Sequence, residues 1–271
     1  MIIVTNKKTI GLIFLILVII FFLIFKFVLL EKDLAANTIP TGYVALVIDD
    51  FGNNGEGIDE LAKLDIPITA AVMPFLEYTE IDAKKAYDAN MEIILHLPME
   101  PEKGDPKWLG PRAIRDSLCD DEIREIANDA LEQVKWAKGI NNHMGSKIMK
   151  DKIIMREILN IVKERNLYFL NSRTDETTVT EDISKELGIV YFKRDVFLDN
   201  ERSDYSISKA MNQLGKIALE KGYAVGMGHV GGQGGKITVD TIDKMSKKLK
   251  EEGIEFIYLS QIQELFLMEG K

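Results

Sequence analysis

The stretch VALVIDDFG, residues 44–52, joins an unbroken apolar run to two adjacent carboxylates, a phenylalanine and a glycine. Hydrophobicity without alternation is typical of a strand that is buried on both faces, as in a parallel sheet covered by helices. Asp49 and Asp50 stand where that strand ends. Neighbouring carboxylates repel each other, and burying either one is costly unless a positive group meets it. The stretch therefore predicts a central parallel strand that ends at a site in need of positive charge.

Short apolar runs of the same kind recur along the chain and alternate with amphipathic segments. The runs that predict strands are 43–48, 68–73, 92–97, 167–170, 189–192, 223–227 and 255–259, and helical patterns lie near 57–64, 79–90, 120–139, 151–165, 203–221 and 238–252. This repeated β–α order predicts a mainly parallel sheet. Seven or eight such units that close on themselves form a barrel whose active face gathers the carboxyl ends of the strands. An open, doubly wound sheet is the alternative.

The first 40 residues differ from the rest in composition. Residues 10–30 are apolar except for Lys26, and as a helix they would extend about 32 Å, enough to cross a hydrocarbon core of about 30 Å. Two lysines precede this segment, which places the N-terminus in the cytoplasm by the positive-inside rule. We expect residues 1–40 to form a cytoplasmic stub, a transmembrane anchor and a short linker, and residues 41–271 to form one extracytoplasmic domain. The alternative is a cleaved signal peptide and a secreted protein.

The bulk composition excludes several classes of function. The net charge is −9 and the chain has no long basic tract, so nucleic acid is not an expected partner. A single cysteine, Cys119, excludes an internal disulfide framework and a cysteine-rich zinc site. The membrane is an expected contact through the N-terminal helix, and protein partners stay open.

The chain has three histidines, and all of them lie at or beyond the carboxyl ends of predicted strands. His96 ends the third strand, His229 lies just past the sixth, and His143 follows the long helical pattern, so we expect them on the same barrel face as the acidic pair. A hydrolytic zinc site needs about three ligands from His and Asp or Glu plus an open position. In such a site Asp50 would bind the metal and Asp49 would stay free to take a proton. The alternative is a loop acid pair without a metal.

The motifs VIDDFG, EIILHLPMEP, GINNHMGS, FLNSRT and RDVFLDN, in that order, resemble those of the divergent polysaccharide deacetylases, relatives of the NodB-type chitooligosaccharide deacetylases. The resemblance covers about residues 41–262. It implies a distorted (β/α) barrel, here of about seven strands, with a divalent metal, zinc foremost. It also implies removal of acetyl groups from N-acetylated sugars, so that the partner is a polysaccharide substrate.

The resemblance also implies roles for individual residues. Asp49 matches the catalytic base, Asp50 a metal ligand and His96 the first metal histidine. NodB-type enzymes carry a second histidine four residues further on, and here that position is Glu100. We therefore expect His143 to be the third ligand, with Glu100 as the fallback.

The late histidine of the family, a general acid, matches His229. Asn142, Arg173 and Asp195, together with the Glu100 already named, are candidates for binding substrate or orienting the base, although Arg173 and Asp195 equally suit structural ion pairs. The long loop that contains Trp108 is too rich in proline and glycine for a plain connection. Its tryptophan would either line a sugar groove or anchor the core.

The sequence thus predicts a metal-dependent hydrolase that removes N-acetyl groups from an envelope or extracellular polysaccharide. Two alternatives stay open: a non-catalytic protein that binds glycan or cell wall on a deacetylase scaffold, and a metal-dependent peptidoglycan amidase.

Overall fold

The computed structural model describes residues 14–26, 40–174 and 179–267. By its internal contacts the chain divides into two units, Met1–Pro40 and Thr41–Lys271. In the first unit, residues 14–26 are helical (α1), and the predicted membrane segment 10–30 extends beyond them at both ends, outside the described residues. None of the helices in the described ranges has the length and hydropathy needed to cross a bilayer.

The second unit is built on a parallel sheet. Its strands in the described residues are β1 (Gly42–Phe51), β2 (Thr69–Val72), β3 (Glu92–Met99), β4 (Gly139–Met144), β5 (Tyr168–Asn171), β6 (Tyr191–Lys193), β7 (Val196–Phe197), β8 (Tyr223–His229) and β9 (Ile254–Ile257). The order is β6-β5-β4-β3-β2-β1-β8-β7, and β9 pairs with the first half of β1. Every pairing between these strands is parallel. The two end strands, β6 and β7, do not pair with each other in the described residues, so the sheet is a curled half-barrel, consistent with the predicted distorted barrel.

Helices follow most strands and cover the outer face of the sheet. They are α2 (Ile58–Leu61), α3 (Thr79–Asp88), α4 (Asp120–Gln133), α5 (Lys152–Glu164), α6 (Thr180–Leu187), α7 (Asp204–Lys221), α8 (Lys236–Glu251) and α9 (Leu259–Ile262), with short 3-10 turns at Pro106–Leu109 and Ile148–Lys150 and a π turn at Gln263–Leu267. Ser203 caps the start of α7, since its hydroxyl accepts a hydrogen bond from the backbone N–H of Ser206. The apolar stripe of α5 is buried against the same core.

Strand β1 is buried on both faces, as its unbroken hydrophobicity predicts. Val44 and Leu46 pack into the large cluster beneath the helices. Ala45 and Val47 face the inside of the curl, in a smaller cluster formed with residues of the other strands. Since side chains alternate along a strand, Asp49 shares the inner face with Ala45 and Val47.

The longest of the predicted helical patterns has different bounds in the structure. The helical pattern 120–139 was expected to end at Gly139, but α4 ends at Gln133 and Gly139 begins β4. A Cβ at Gly139 would lie 2.2 Å from the ring of Tyr168, so this glycine is required by the close approach of two strands and not by a helix end. Strands β4 and β7 and helix α6 were not predicted.

Candidate metal centre

Polar side chains from four strands, two on each side of β2, meet at the carboxyl end of the sheet. Asp49 of β1 is in register with His229 of β8, and His96 of β3 is in register with Asn141 of β4. Residues in register on adjacent parallel strands point to the same face. All four are more than nine-tenths buried, so the inner face of the curl changes from apolar to polar where its strands end.

A register irregularity at the end of β1, just before the turn that follows the strand, directs both carboxylates of the acidic pair into this site. Strict alternation would send the side chain of Asp50 to the outer face, but its backbone adopts a left-handed conformation with φ 70°. That conformation is uncommon for residues other than glycine, although Asp tolerates it. The carboxylate of Asp82 on α3 secures the turn, because its Oδ2 accepts the backbone N–H groups of Gly52 and Asn54, each at 2.8 Å.

Asp50, His96 and His143 form a triangle of ligand atoms. Asp50 Oδ1 lies 3.5 Å from His96 Nε2 and 3.5 Å from His143 Nδ1, and the two nitrogens are 3.0 Å apart. Tetrahedral zinc bonds of about 2.0–2.1 Å would separate their ligand atoms by about 3.3–3.4 Å. Asp50 Oδ1 is buried and has no hydrogen-bond partner within the described residues. The spacing and the unsatisfied oxygen both fit a bound cation.

The other ring nitrogens of the two histidines determine which atoms face the triangle. His96 Nδ1 lies 2.8 Å from Asn141 Oδ1, while Asn141 Nδ2 donates to Asp49 Oδ1 at 3.0 Å. A carboxylate only accepts, which orients the amide and places the His96 proton on Nδ1. His143 Nε2 lies 2.9 Å from the Trp108 carbonyl oxygen, which also only accepts. The lone pairs of His96 Nε2, His143 Nδ1 and Asp50 Oδ1 therefore converge, and such an arrangement calls for positive charge.

The pKa shifts of Asp49, Asp50 and His96 arise from burial and from the interactions of these groups with one another and with nearby histidines. Burial alone would raise the pKa of Asp50, but contacts with His143 and His96 outweigh it and hold the value well below the usual range. Burial raises the pKa of Asp49, and nearby His96 and His229 offset that rise only in part. Burial lowers the pKa of His96, yet the negative charges of Asp49 and Asp50 raise it overall. Asp49 is thus the more basic carboxylate of the pair.

His229 forms a buried pair with Asp199, which the sequence reasoning did not single out. Asp199 Oδ1 accepts from His229 Nδ1 at 2.9 Å, and its Oδ2 accepts from the backbone N–H of His229 and the hydroxyl of Thr238. Burial lowers the pKa of His229, but the hydrogen bond and charge of Asp199 outweigh it and raise the pKa to about 9. The ring stacks on Phe197 at 4.9 Å. The signal for Asp199 was its place in RDVFLDN, one of the motifs quoted above.

A groove opens beside the triangle and encloses about 580 Å³, a volume typical of small-ligand pockets. Its apolar lining includes Met73, Leu76 and Trp108, and its polar lining includes Asn53 and Gln233, with Asp50 and His143 of the triangle. Trp108 is 63% exposed, so of its two predicted roles the structure favours the groove wall over the core anchor.

Glu100 and Asn142 do not lie in the triangle. Glu100 Oε1 pairs with Lys147 at 2.8 Å, and the cluster that could hold a metal does not include it among the described residues. The side chain of Asn142 is buried and engaged in β-sheet contacts, accepting the backbone N–H of Ser172 and donating to the Met144 carbonyl. Its amide therefore joins the ends of β4 and β5 and does not line the groove.

Arg173 and Asp195 also lie apart from the ligand atoms. Asp195 pairs with Lys221 at 2.9 Å and accepts the backbone N–H of Val225, at the end of β8 opposite to the site. Arg173 is exposed, and its carbonyl accepts a hydrogen bond from Arg194. The ion-pair alternative for Asp195 fits this geometry.

Comparison with known proteins identifies relatives of the chain. A sequence profile described as divergent polysaccharide deacetylase matches residues 46–263. The uncharacterized protein YibQ of Escherichia coli strain K12 is 32% identical over 194 residues, which are 72% of this chain and 60% of that protein. The chain thus matches about three fifths of that relative's length.

Solved structures share the fold. The uncharacterized protein ATU2773 from Agrobacterium tumefaciens C58 superposes with a TM-score of 0.72 at 21% identity, over 83% of this chain and 90% of that one. The Bc1960 peptidoglycan N-acetylglucosamine deacetylase superposes with a TM-score of 0.50 at 16% identity, over 81% and 86%. At these identities the structures show the fold alone. The profile match, which spans most of the chain, confirms the resemblance read from the motifs: the chain belongs to the divergent polysaccharide deacetylase family.

Proposed function

We propose that this protein is a metal-dependent hydrolase that removes N-acetyl groups from an envelope or extracellular polysaccharide. The observation that carries the proposal is the buried, unpartnered Asp50 Oδ1, which faces one nitrogen of His96 and one of His143 at 3.5 Å each. A base and an acid, Asp49 and His229, stand in register beside it. A binding module would need neither the converging lone pairs nor this acid–base pair.

Asp50, His96 and His143 would hold the divalent ion, and two imidazole nitrogens with one carboxylate oxygen are a donor set that zinc favours. When bound, the ion supplies Lewis-acid polarisation of a carbonyl oxygen and of a water molecule. The remaining chemistry belongs to the side chains around it.

Asp49 is the proposed general base. Its Oδ1 accepts from Asn141, while its Oδ2 is directed towards the triangle, 3.8 Å from His96 Nε2. Burial raises its pKa, and a more basic carboxylate removes a proton from an attacking water more readily.

His229 is the proposed general acid. Its Nδ1–H is donated to Asp199, so in the protonated ring the Nε2–H is the proton that the leaving sugar amine would receive. A pKa of about 9 keeps the ring protonated at neutral pH, ready to donate.

The groove suits a sugar ring, since it combines the exposed face of Trp108 with the amides of Asn53 and Gln233. The location of this domain outside the cytoplasm is part of the proposal and rests on the N-terminal sequence.

The test is acetate release from N-acetylated oligosaccharides by the full-length protein, before and after treatment with a chelator. We expect metal-dependent release, and a loss of about 10²–10⁴-fold in kcat for Asp49→Asn. Asp88→Asn, in an exposed pair with Lys84, is the matched control and should leave kcat unchanged.

Two other outcomes would replace the proposal. Glycan binding without acetate release, in protein that holds zinc, would favour the non-catalytic alternative. Cleavage of peptidoglycan stem peptides with intact acetyl groups would favour the amidase.

A further inference from the structure

The two ring nitrogens of His143 face different groups. Nδ1 faces the triangle, 3.0 Å from His96 Nε2, while Nε2 lies 2.9 Å from the carbonyl oxygen of Trp108. Because that carbonyl can only accept, the proton of a neutral ring resides on Nε2 and the Nδ1 lone pair is available to a metal. The Trp108 carbonyl therefore sets the tautomer of the third ligand.

Trp108 belongs to the loop 100–116, which leaves the sheet after β3 and returns beside it. Its 3-10 turn is capped by Asp105, whose side chain accepts from the backbone N–H of Lys107. The two ends of the loop meet where the backbone N–H of Asp116 donates to Glu100 Oε2 at 3.1 Å. The position of the carbonyl thus depends on how this loop is held against the rest of the site.

Besides the pair of Lys150 with Glu102 at 2.8 Å, Lys147 contributes to that attachment. It lies in the segment after β4, four residues beyond His143, and its Nζ is 2.8 Å from Glu100 Oε1 and 2.5 Å from Asp116 Oδ2. One ammonium group therefore joins both ends of the loop to the segment that follows the histidine. Without it, Glu100 and Asp116 would remain as two unneutralised, adjacent carboxylates.

We propose that Lys147 is a positioning residue of the metal centre, which acts through the Trp108 carbonyl and the ring of His143. The inference rests on the proposed function, because it concerns the same ligand set. It assigns Glu100, which lies outside the triangle, to the support of the loop. Groups that orient a ligand histidine typically change metal affinity by 10–100-fold when removed.

The experiment is a titration of the full-length apoprotein with zinc ion alone, with Kd as the readout. We expect Lys147→Met to weaken zinc binding about tenfold, the lower end of that range because Lys147 acts through the loop. Lys147→Arg, which keeps the charge, should restore most of the affinity. Lys244→Met is the matched control: Lys244 pairs with Asp204 between α8 and α7 at 3.3 Å, and its removal should leave Kd unchanged.

A second readout reports the tautomer directly. The chain has three histidines, so nitrogen NMR of their side chains can be assigned by single substitutions. We expect His143 in the wild-type apoprotein to be protonated on Nε2, and a mixture of tautomers in Lys147→Met. If Lys147→Met does not fold, judged by circular dichroism, Glu100→Gln tests the same attachment.

The outcomes separate the two proposals. If the wild type binds zinc and Lys147→Met binds it equally well with an unchanged His143 tautomer, the positioning role is wrong and the metal centre stands. If the wild type binds no zinc, both proposals fail.

Discussion

Substituting Asp199 with asparagine tests the acid half of the proposed mechanism. The pKa of His229 is about 9 in the folded protein against an ordinary 6.5, and at about 1.36 kcal/mol for each pKa unit this rise corresponds to about 3 kcal/mol of stabilisation of the imidazolium. Asp199 is the largest stabilising contributor, through its hydrogen bond and then its charge. The neutral amide removes the charge at nearly constant volume.

The direction in which kcat/KM changes with pH follows from the proposed role of His229 as a general acid. A general acid must be protonated, so kcat/KM falls as pH rises through its pKa. We expect Asp199→Asn to move this alkaline limb of the pH profile about 2.5 pH units lower, from a pKa of about 9 to the ordinary 6.5. At pH 7.5, a pKa near 9 leaves about 97% of the acid protonated and one near 6.5 leaves about 10%, so protonation alone predicts about a tenfold loss.

The assay is acetate release from an N-acetylated oligosaccharide across the pH range with zinc-loaded protein. Thr238→Val is the matched control, because it removes a hydrogen bond to Asp199 Oδ2 but leaves the carboxylate in place. Its alkaline limb should not move to lower pH. Coincident limbs for wild type and Asp199→Asn would refute the assignment of His229 as the acid supported by Asp199.

Two further predictions concern metal binding and stability. Asn141→Leu removes the acceptor for His96 Nδ1 and should weaken zinc binding by about 10–100-fold, measured by titration of the apoprotein. Gly139→Ala places a Cβ 2.2 Å from the ring of Tyr168 and should lower the free energy of unfolding by about 1–3 kcal/mol in urea, whereas Gly232→Ala, with open space around its Cβ, should change it little.

The fold was predictable wherever strands are buried on both faces. Seven apolar runs match β1, β2, β3, β5, β6, β8 and β9 in order, because burial between helices and the inside of the curl selects apolar residues at every position. β7 has two residues and therefore no pattern to detect. The helix pattern 120–139 overran because Trp136 and Ala137 continue the apolar spacing after the helix has ended, and both pack against the core from a turn.

The site was predictable where an aspartate or a histidine lies near the carboxyl end of a recognisable strand. Asp49, His96 and His229 all lie in the carboxyl-terminal halves of long strands, so the rule for parallel sheets places them together. Asp199 lies just past the two-residue β7, and without a recognisable strand before it nothing in the spacing places it at this face. Its role depends on a register that only the folded sheet shows.

Strand β4 explains why fold and site were unequally predictable. Its sequence GINNHM has two asparagines and a histidine where a buried strand should be apolar, so propensity argues against a strand. Alternation of side chains along the strand resolves the conflict. Asn141 and His143 point into the site: Asn141 orients His96, and His143 completes the triangle. Asn142 lies on the opposite face and bonds to Ser172. Each of the three side chains has a hydrogen-bond partner distant in sequence, as burial requires. The residues that obscure β4 as a strand are therefore those that build the candidate metal centre, which is why a local pattern could not reveal both.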